Sequence, residues 1–478
     1  MATLNVQQTT NFSNQNLNNI DTIDFDNLGA GATATFASSQ FDNTHISRNV
    51  HIDGNLFVNN IVVNATPIAP QLGATLSAAG WSFFLWDNGV DSITIRGTSL
   101  VDLLIGSSQS DIIIGGEGRD ALHGGGGNDT FVYNAPSDLV AGELIDGGAG
   151  ADTIRVQGSG TFDFSAATLS SVEQLQFLTA GPATVSLDTS QIGAIVAVKG
   201  GGATDVVAVT GSVIDLSAVT FATWSPTDQI RLTGTTGADS ITGSSQADTI
   251  FGGDGADVLH GGDGNDFFSY QASTHVSPGE IIDGGAGGQD TIGVSSDAPY
   301  DFSLASITGI EQLFFASGLG GSALFSAPQL SAGEISRVLS SPGADTVTVT
   351  GSAVDLSGVQ FFNWTIADHI NLNGTAGNDT FIGSNQADTM TGGGGADTFI
   401  FQRDAVGQVA LGHDTIVDFA QGQDHVEIDA SMFNGFADVQ AHLAQVGADA
   451  VITFDAGNSI TLHNVTAANL AASDFVFV

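Results

Sequence analysis

A nine-residue register constrains this chain more than any other feature. From Gly97 it reads Gly97-Thr-Ser-Leu-Val-Asp102-Leu-Leu-Ile, Gly106-Ser-Ser-Gln-Ser-Asp111-Ile-Ile-Ile, Gly115-Gly-Glu-Gly-Arg-Asp120-Ala-Leu-His and Gly124-Gly-Gly-Gly-Asn-Asp129-Thr-Phe-Val. The same spacing returns at Asp239, Asp248, Asp257 and Asp266, and again at Asp379, Asp388 and Asp397. The underlying unit is Gly-Gly-x-Gly-x-Asp-x-apolar-x. Its glycine half favours a tight turn, because glycine enters positive φ without penalty and lets carbonyls converge. Its second half alternates, which specifies a short strand with one apolar side chain facing inward. One nine cannot bury that side chain alone, so successive nines must stack into a parallel β-solenoid. The predicted fold class is all-β.

The Asp of each unit offers a hard carboxylate oxygen and the turn offers carbonyls. That donor set suits Ca²⁺, which takes about six to eight oxygens, and not Zn²⁺, which prefers His and Cys. Composition agrees. The chain has 44 Asp and 7 Glu against 8 Lys+Arg, for a net charge of −43. So few basic residues cannot neutralise so much acid, and another counterion is required. With 0 Cys, disulfides are excluded as the staple. Nucleic acid and anionic membrane are excluded as partners, since both need basic patches. A disordered acidic tail is excluded too, because 42% of residues are hydrophobic and 30 are Phe. No apolar run approaches the ~18 residues of a membrane span, so no membrane insertion is expected. Met1–Gln8 lacks a basic and an apolar leader region, so any export signal is expected elsewhere.

These units resemble the hemolysin-type (RTX) calcium-binding repeat family. The resemblance implies a parallel β-roll in which alternate nines share a face. Ions would then lie between Asp111 and Asp129, Asp239 and Asp257, Asp248 and Asp266, and Asp379 and Asp397. Asp120 and Asp388, in the same register, complete the repeat's candidates. The units at Gly97 and Gly106 depart from the pattern, carrying Leu100 and Gln109 where the fourth-position glycine belongs. That departure puts a site formed by Asp102 and Asp120 in question.

A longer repeat surrounds the nines. Asp215-Leu-Ser-Ala-Val-Thr-Phe221-Ala-Thr-Trp224 matches Asp355-Leu-Ser-Gly-Val-Gln-Phe361-Phe-Asn-Trp364, and Glu173-Gln-Leu-Gln-Phe177 matches Glu311-Gln-Leu-Phe-Phe315. Ile145-Asp-Gly-Gly-Ala-Gly-Ala-Asp152 matches Ile282-Asp-Gly-Gly-Ala-Gly-Gly-Gln-Asp290, which adds Asp152 and Asp290 to the metal candidates. A fainter copy opens the chain, with Ile20–Phe25 and Phe83–Trp86 in the equivalent places. Three modules are expected, 1–146, 147–283 and 284–412, followed by a cap at 413–478. Trp86, Trp224 and Trp364 are expected as core wedges.

The last segment is expected to contain strands at Asp414–Asp429, Ala450–Phe454 and Ser459–Leu462, with a short helix around Ala437–Val446. Ending on Asp474-Phe-Val-Phe-Val478, it resembles the C-terminal cap of type I secreted proteins, which implies an uncleaved export signal and a secreted, extracellular or cell-surface location. The type I secretion machinery is the partner so implied.

Catalytic motifs are not found. The chain has no His-Glu-x-x-His and no Gly-x-Ser-x-Gly. His123 and His260 hold equivalent last positions of a nine and read as strand residues. His45 and His51, near Asp42 and Asp53, are the weak remaining cluster. Carboxylate pairs exist, but every Asp in register already has a structural task. The expectation is therefore a non-enzymatic, Ca²⁺-dependent solenoid that polymerises with itself into an extracellular layer (an S-layer) or filament. The alternatives are a Ca²⁺-dependent adhesin or carbohydrate-binding module for cell-surface polysaccharide, and an enzyme with an unrecognised site.

Overall fold

The computed structural model describes residues 2–478 apart from 26–31, 43–45, 55–57, 70–71, 179–180, 296–298, 317, 319, 332, 404–408 and 410. It divides into two compact units, 1–231 and 232–478.

Both units are parallel β-solenoids, as the alternating nines require. In the first, Leu103–Ile105 pairs in parallel with Ala121–Gly126, while Asp111–Ile114 pairs with Thr130–Tyr133 in another sheet. Successive nines therefore alternate between two faces, and alternate nines share one. Each strand places every second side chain inside, as in the buried–intermediate alternation of Ala183–Asp188. Register then stacks like on like. Ile95, Ile113, Phe131, Ile154, Leu175, Val198 and Phe221 form one inward column. Ile250, Phe268, Ile292, Leu313, Val338 and Phe361 form its counterpart in the second unit. Burying each such side chain contributes about 1.5–3 kcal/mol, and no nine could obtain that alone.

The longer repeat has a structural signature that reaches the opening segment. Gln191 donates from Nε2 to the Phe164 and Ala167 carbonyls while its Oε1 accepts from the Asp188 N–H. Gln329 does the same with Phe302, Ala305 and Ser326, and Gln40 with Phe12, Gln15 and Ala37. The tryptophans differ from expectation. Trp86, Trp224 and Trp364 are half-buried at corners, packed on Phe83, Phe221 and Phe361 at 4.9–5.4 Å, and the fully buried indole is Trp81.

The final segment has the expected strands but only part of the expected helix. His413–Ile416 and His425–Ile428 join two different parallel sheets as further coil sides. The helix is Phe436–Ala441, and Leu443–Val446 is a strand instead, antiparallel to Asp449–Asp455, which turns back on Asn458–Leu462. Among the described residues no helix is long and apolar enough to cross a membrane.

Candidate metal centre

The register that stacks the apolar column also stacks the aspartates. The Asp111 N–H donates to Asp129 Oδ1 at 2.7 Å, and the Asp129 N–H donates to Asp152 Oδ1 at 2.7 Å. The row ends on Glu173, whose Oε2 accepts from the Asp152 N–H. On the neighbouring face Asp102 donates to Asp120. The second unit repeats this, with Asp248 to Asp266, Asp266 to Asp290, Asp290 to Glu311, and Asp239 to Asp257. In the third block Asp379 donates to Asp397, Asp397 to Asp424 and Asp388 to Asp414. All twelve candidate aspartates are buried. Each pair between which an ion was expected is thus brought onto adjacent coils of one face.

The second carboxylate oxygen separates two kinds of turn. Where Ser or Thr follows the first glycine, its backbone N–H and hydroxyl reach the carboxylate: Ser107 to Asp111, Thr235 to Asp239, Ser244 to Asp248, Thr375 to Asp379 and Ser384 to Asp388. Where glycine follows, at Gly116, Gly125, Gly253 and Gly262, φ is +94° to +111°. There the Oδ2 atoms of Asp120, Asp129, Asp257 and Asp266 are buried with no hydrogen-bond partner, as is that of Asp152. Asp111 Oδ1 and Asp248 Oδ1, at the start of their rows, are orphaned likewise. An unsatisfied buried carboxylate oxygen is costly unless a cation takes it.

Carbonyls stand beside these oxygens. A Cβ on Gly116 or Gly118 would collide with the Thr98 or Leu100 carbonyl, and one on Gly125 or Gly127 with those of Ser107 or Gln109. Leu100 and Gln109 thus present the same backbone oxygen that a glycine there would present. Among the described residues no three His, Asp or Glu side chains converge as a metal cluster, so a site here draws part of its oxygens from the backbone. Two side-chain carboxylates plus turn carbonyls fit Ca²⁺.

Electrostatics agree. Burial, opposed by the turn hydrogen bonds, pushes Asp111 up to about 7, and with a neighbouring carboxylate it pushes Asp129 up to about 8 and Asp266 to about 7. A bound divalent ion would invert that balance.

Two members of the arrangement were not foreseen. Glu143 and Glu280 follow Asp120 and Asp257 in register, are fully buried, and accept from Tyr133 Oη at 2.7 Å and Tyr270 Oη at 2.6 Å. Their only sequence signal is a lone Glu ten residues after a Tyr. The carboxylate rows also run outside the nines, from Asp205 to Asp228 and from Asp345 to Asp368. In those coils backbone donors such as Gly201 and Ser341 reach the second oxygen. Three of the sequence-selected histidines are half-buried strand residues: His123 and His260 face Asp146 and Asp283 at 3.5 and 3.2 Å, and His51 faces Ser82 at 2.9 Å. His45 lies outside the described residues.

Comparison with known proteins fits this geometry. The RTX calcium-binding nonapeptide repeat matches residues 96–131, 142–157 and 233–268. The peptidase M10 serralysin C-terminal domain matches residues 349–478, which includes the third block of nines. No curated protein matches the chain. Among solved structures, the extracellular lipase LipA from Serratia marcescens aligns at 14% identity over 58% of this chain and 45% of that one, with a TM-score of 0.18, too low to carry an argument. The chain spans less than half the length of that lipase. It carries RTX repeats and a serralysin-type C-terminal domain, and it is a secreted, extracellular protein that binds several Ca²⁺ ions.

Proposed function

We propose that this secreted Ca²⁺-binding chain is a structural protein, not an enzyme, which polymerises into an extracellular layer or filament once Ca²⁺ has folded it. The observation that carries the reading is the set of orphaned carboxylate oxygens on Asp120, Asp129, Asp152, Asp257 and Asp266, buried inside the β-rows that hold the coils together. The ions sit between coils, so they act on the architecture itself. Asp111, Asp120, Asp129, Asp152, Asp239, Asp248, Asp257, Asp266, Asp290, Asp379, Asp388 and Asp397 are assigned as the carboxylates that hold or flank them. In a Ca²⁺-poor cytosol the rows repel and the chain stays open for export by the type I machinery. Outside, sites with Kd around 10⁻⁴–10⁻³ M fill and drive folding by mass action. Electron micrographs with Ca²⁺ and after EGTA test this: sheets or fibres that vanish on chelation support it, and isolated particles at every concentration overturn the assembly.

A Ca²⁺-dependent, carbohydrate-binding adhesin is the second reading. It is favoured by an outward row of Phe314, Leu339 and Phe362 in the second unit, with the Arg337 guanidinium 4.8 Å from the Phe362 ring.

A further inference from the structure

Parallel sheets end on strands whose outer N–H and C=O groups have no strand to pair with, and such edges template the addition of another strand. Among the described residues Thr75–Ser77 is the end strand of a sheet in the first unit, paired only with Leu103–Ile105. Its free edge lines a cleft of about 670 Å³, walled by Ser38, Phe41, Thr66 and Ile68. That volume lies within the ~300–1,000 Å³ typical of binding clefts. Ile68 on its wall, and Leu72 and Val101 on an adjoining cavity that shares Ile68 and Thr75, are 69%, 61% and 59% exposed. In the second unit, Phe475–Phe477 is the end strand of another sheet, paired among the described residues only with His425–Ile428.

We infer that the Thr75–Ser77 edge is a slot filled by the Phe475–Phe477 strand of a second copy of this chain. This rests on the self-assembly reading and names its contact. The two strands are complementary. Both have three residues, and both belong to parallel sheets of stacked coils. Their inward and outward phases match: Leu76 points in between exposed Thr75 and Ser77, while Phe475 points in beside exposed Val476. Parallel addition therefore sets Phe475 or Phe477 on Leu76 and sets Val476 beside Ser77 or Thr75, at the edge of the apolar surround. The added strand continues the sheet, so the contact is head-to-tail and repeats from copy to copy. Its driving force is apolar burial and backbone pairing, both of which survive a net charge of −43 once Ca²⁺ is bound.

The chain has 0 Cys, so engineered pairs report the contact without background. Neighbouring strands lie ~4.8 Å apart, which lets a disulfide form across them. Val476→Cys combined with Thr75→Cys, or with Ser77→Cys, should give under oxidation in millimolar Ca²⁺ a ladder of covalent oligomers on a denaturing gel. Each single variant should stop at dimers. Ile68→Asp with Val101→Asp, both at exposed positions, should fold with Ca²⁺ as judged by circular dichroism yet lose assembly by light scattering. Assemblies that persist in the Asp variant and give no ladder in either Cys pair would overturn the slot while leaving self-assembly intact. A wild-type chain that is monomeric at every concentration would instead remove the underlying reading, and the slot with it.

Discussion

At the scale of single residues, the chain uses one carboxylate geometry for two purposes. Asp205 and Asp345 have donors for their second oxygen and need no ion, whereas Asp129 and Asp257 leave Oδ2 buried and bare. Asp257→Ala and Asp129→Ala should each raise the Ca²⁺ concentration at the folding midpoint by about tenfold or more, read by circular dichroism. Asp215→Ala, at an exposed carboxylate bonded to Ser217, should leave it unchanged. An unmoved midpoint in the first two variants would remove their ligand role. Protons compete at the same oxygens. Asp120 is pushed up to about 7 and Asp248 to about 8, mainly by burial. An acid whose folded pKa exceeds its ordinary ~3.9 holds more protons folded than unfolded. The Ca²⁺-free fold is therefore favoured below about pH 4 and loses that contribution as pH rises through the folded values. The β circular-dichroism signal of the Ca²⁺-free chain should therefore rise as pH is lowered from about 8 towards 4. A signal flat across that range would contradict the burial of these groups.

At the scale of elements, the nines were legible because turn and strand are both encoded within a few residues. Gly116 has φ +94° and faces the Thr98 carbonyl, so Gly116→Ala adds strain and a collision. It should cost more than ~1 kcal/mol in Ca²⁺-saturated urea unfolding, whereas Gly193→Ala, with negative φ and open space around it, should be near neutral. Equal effects at the two sites would refute the turn geometry. The glutamine plugs were not legible. Gln40, Gln191 and Gln329 recur at unequal spacings, and each acts by reaching carbonyls 24–28 residues away. Gln191→Ala leaves those carbonyls unpaired and should cost about 1–3 kcal/mol in the same assay. The helix expected at Ala437–Val446 was half right for a similar reason: Leu443–Val446 has a partner strand in Asp449–Asp455, and tertiary pairing outweighs local propensity.

At the scale of the whole molecule, the metal is part of the fold. EGTA should abolish most of the β circular-dichroism signal and expose the chain to protease, and added Ca²⁺ should restore both. A signal that survives full chelation would show that protein contacts alone suffice. The amino-acid order by itself determined the all-β class, the Ca²⁺ chemistry and the aspartates in register, because a nine-residue unit carries its own turn, strand and ligand. Only the tertiary structure decided which oxygen of each carboxylate is left bare, that Glu143 and Glu280 stand in the aspartate rows, and which strands end their sheets. Those outcomes depend on contacts between coils some 18–28 residues apart, where register and backbone direction, not residue type, choose the partner.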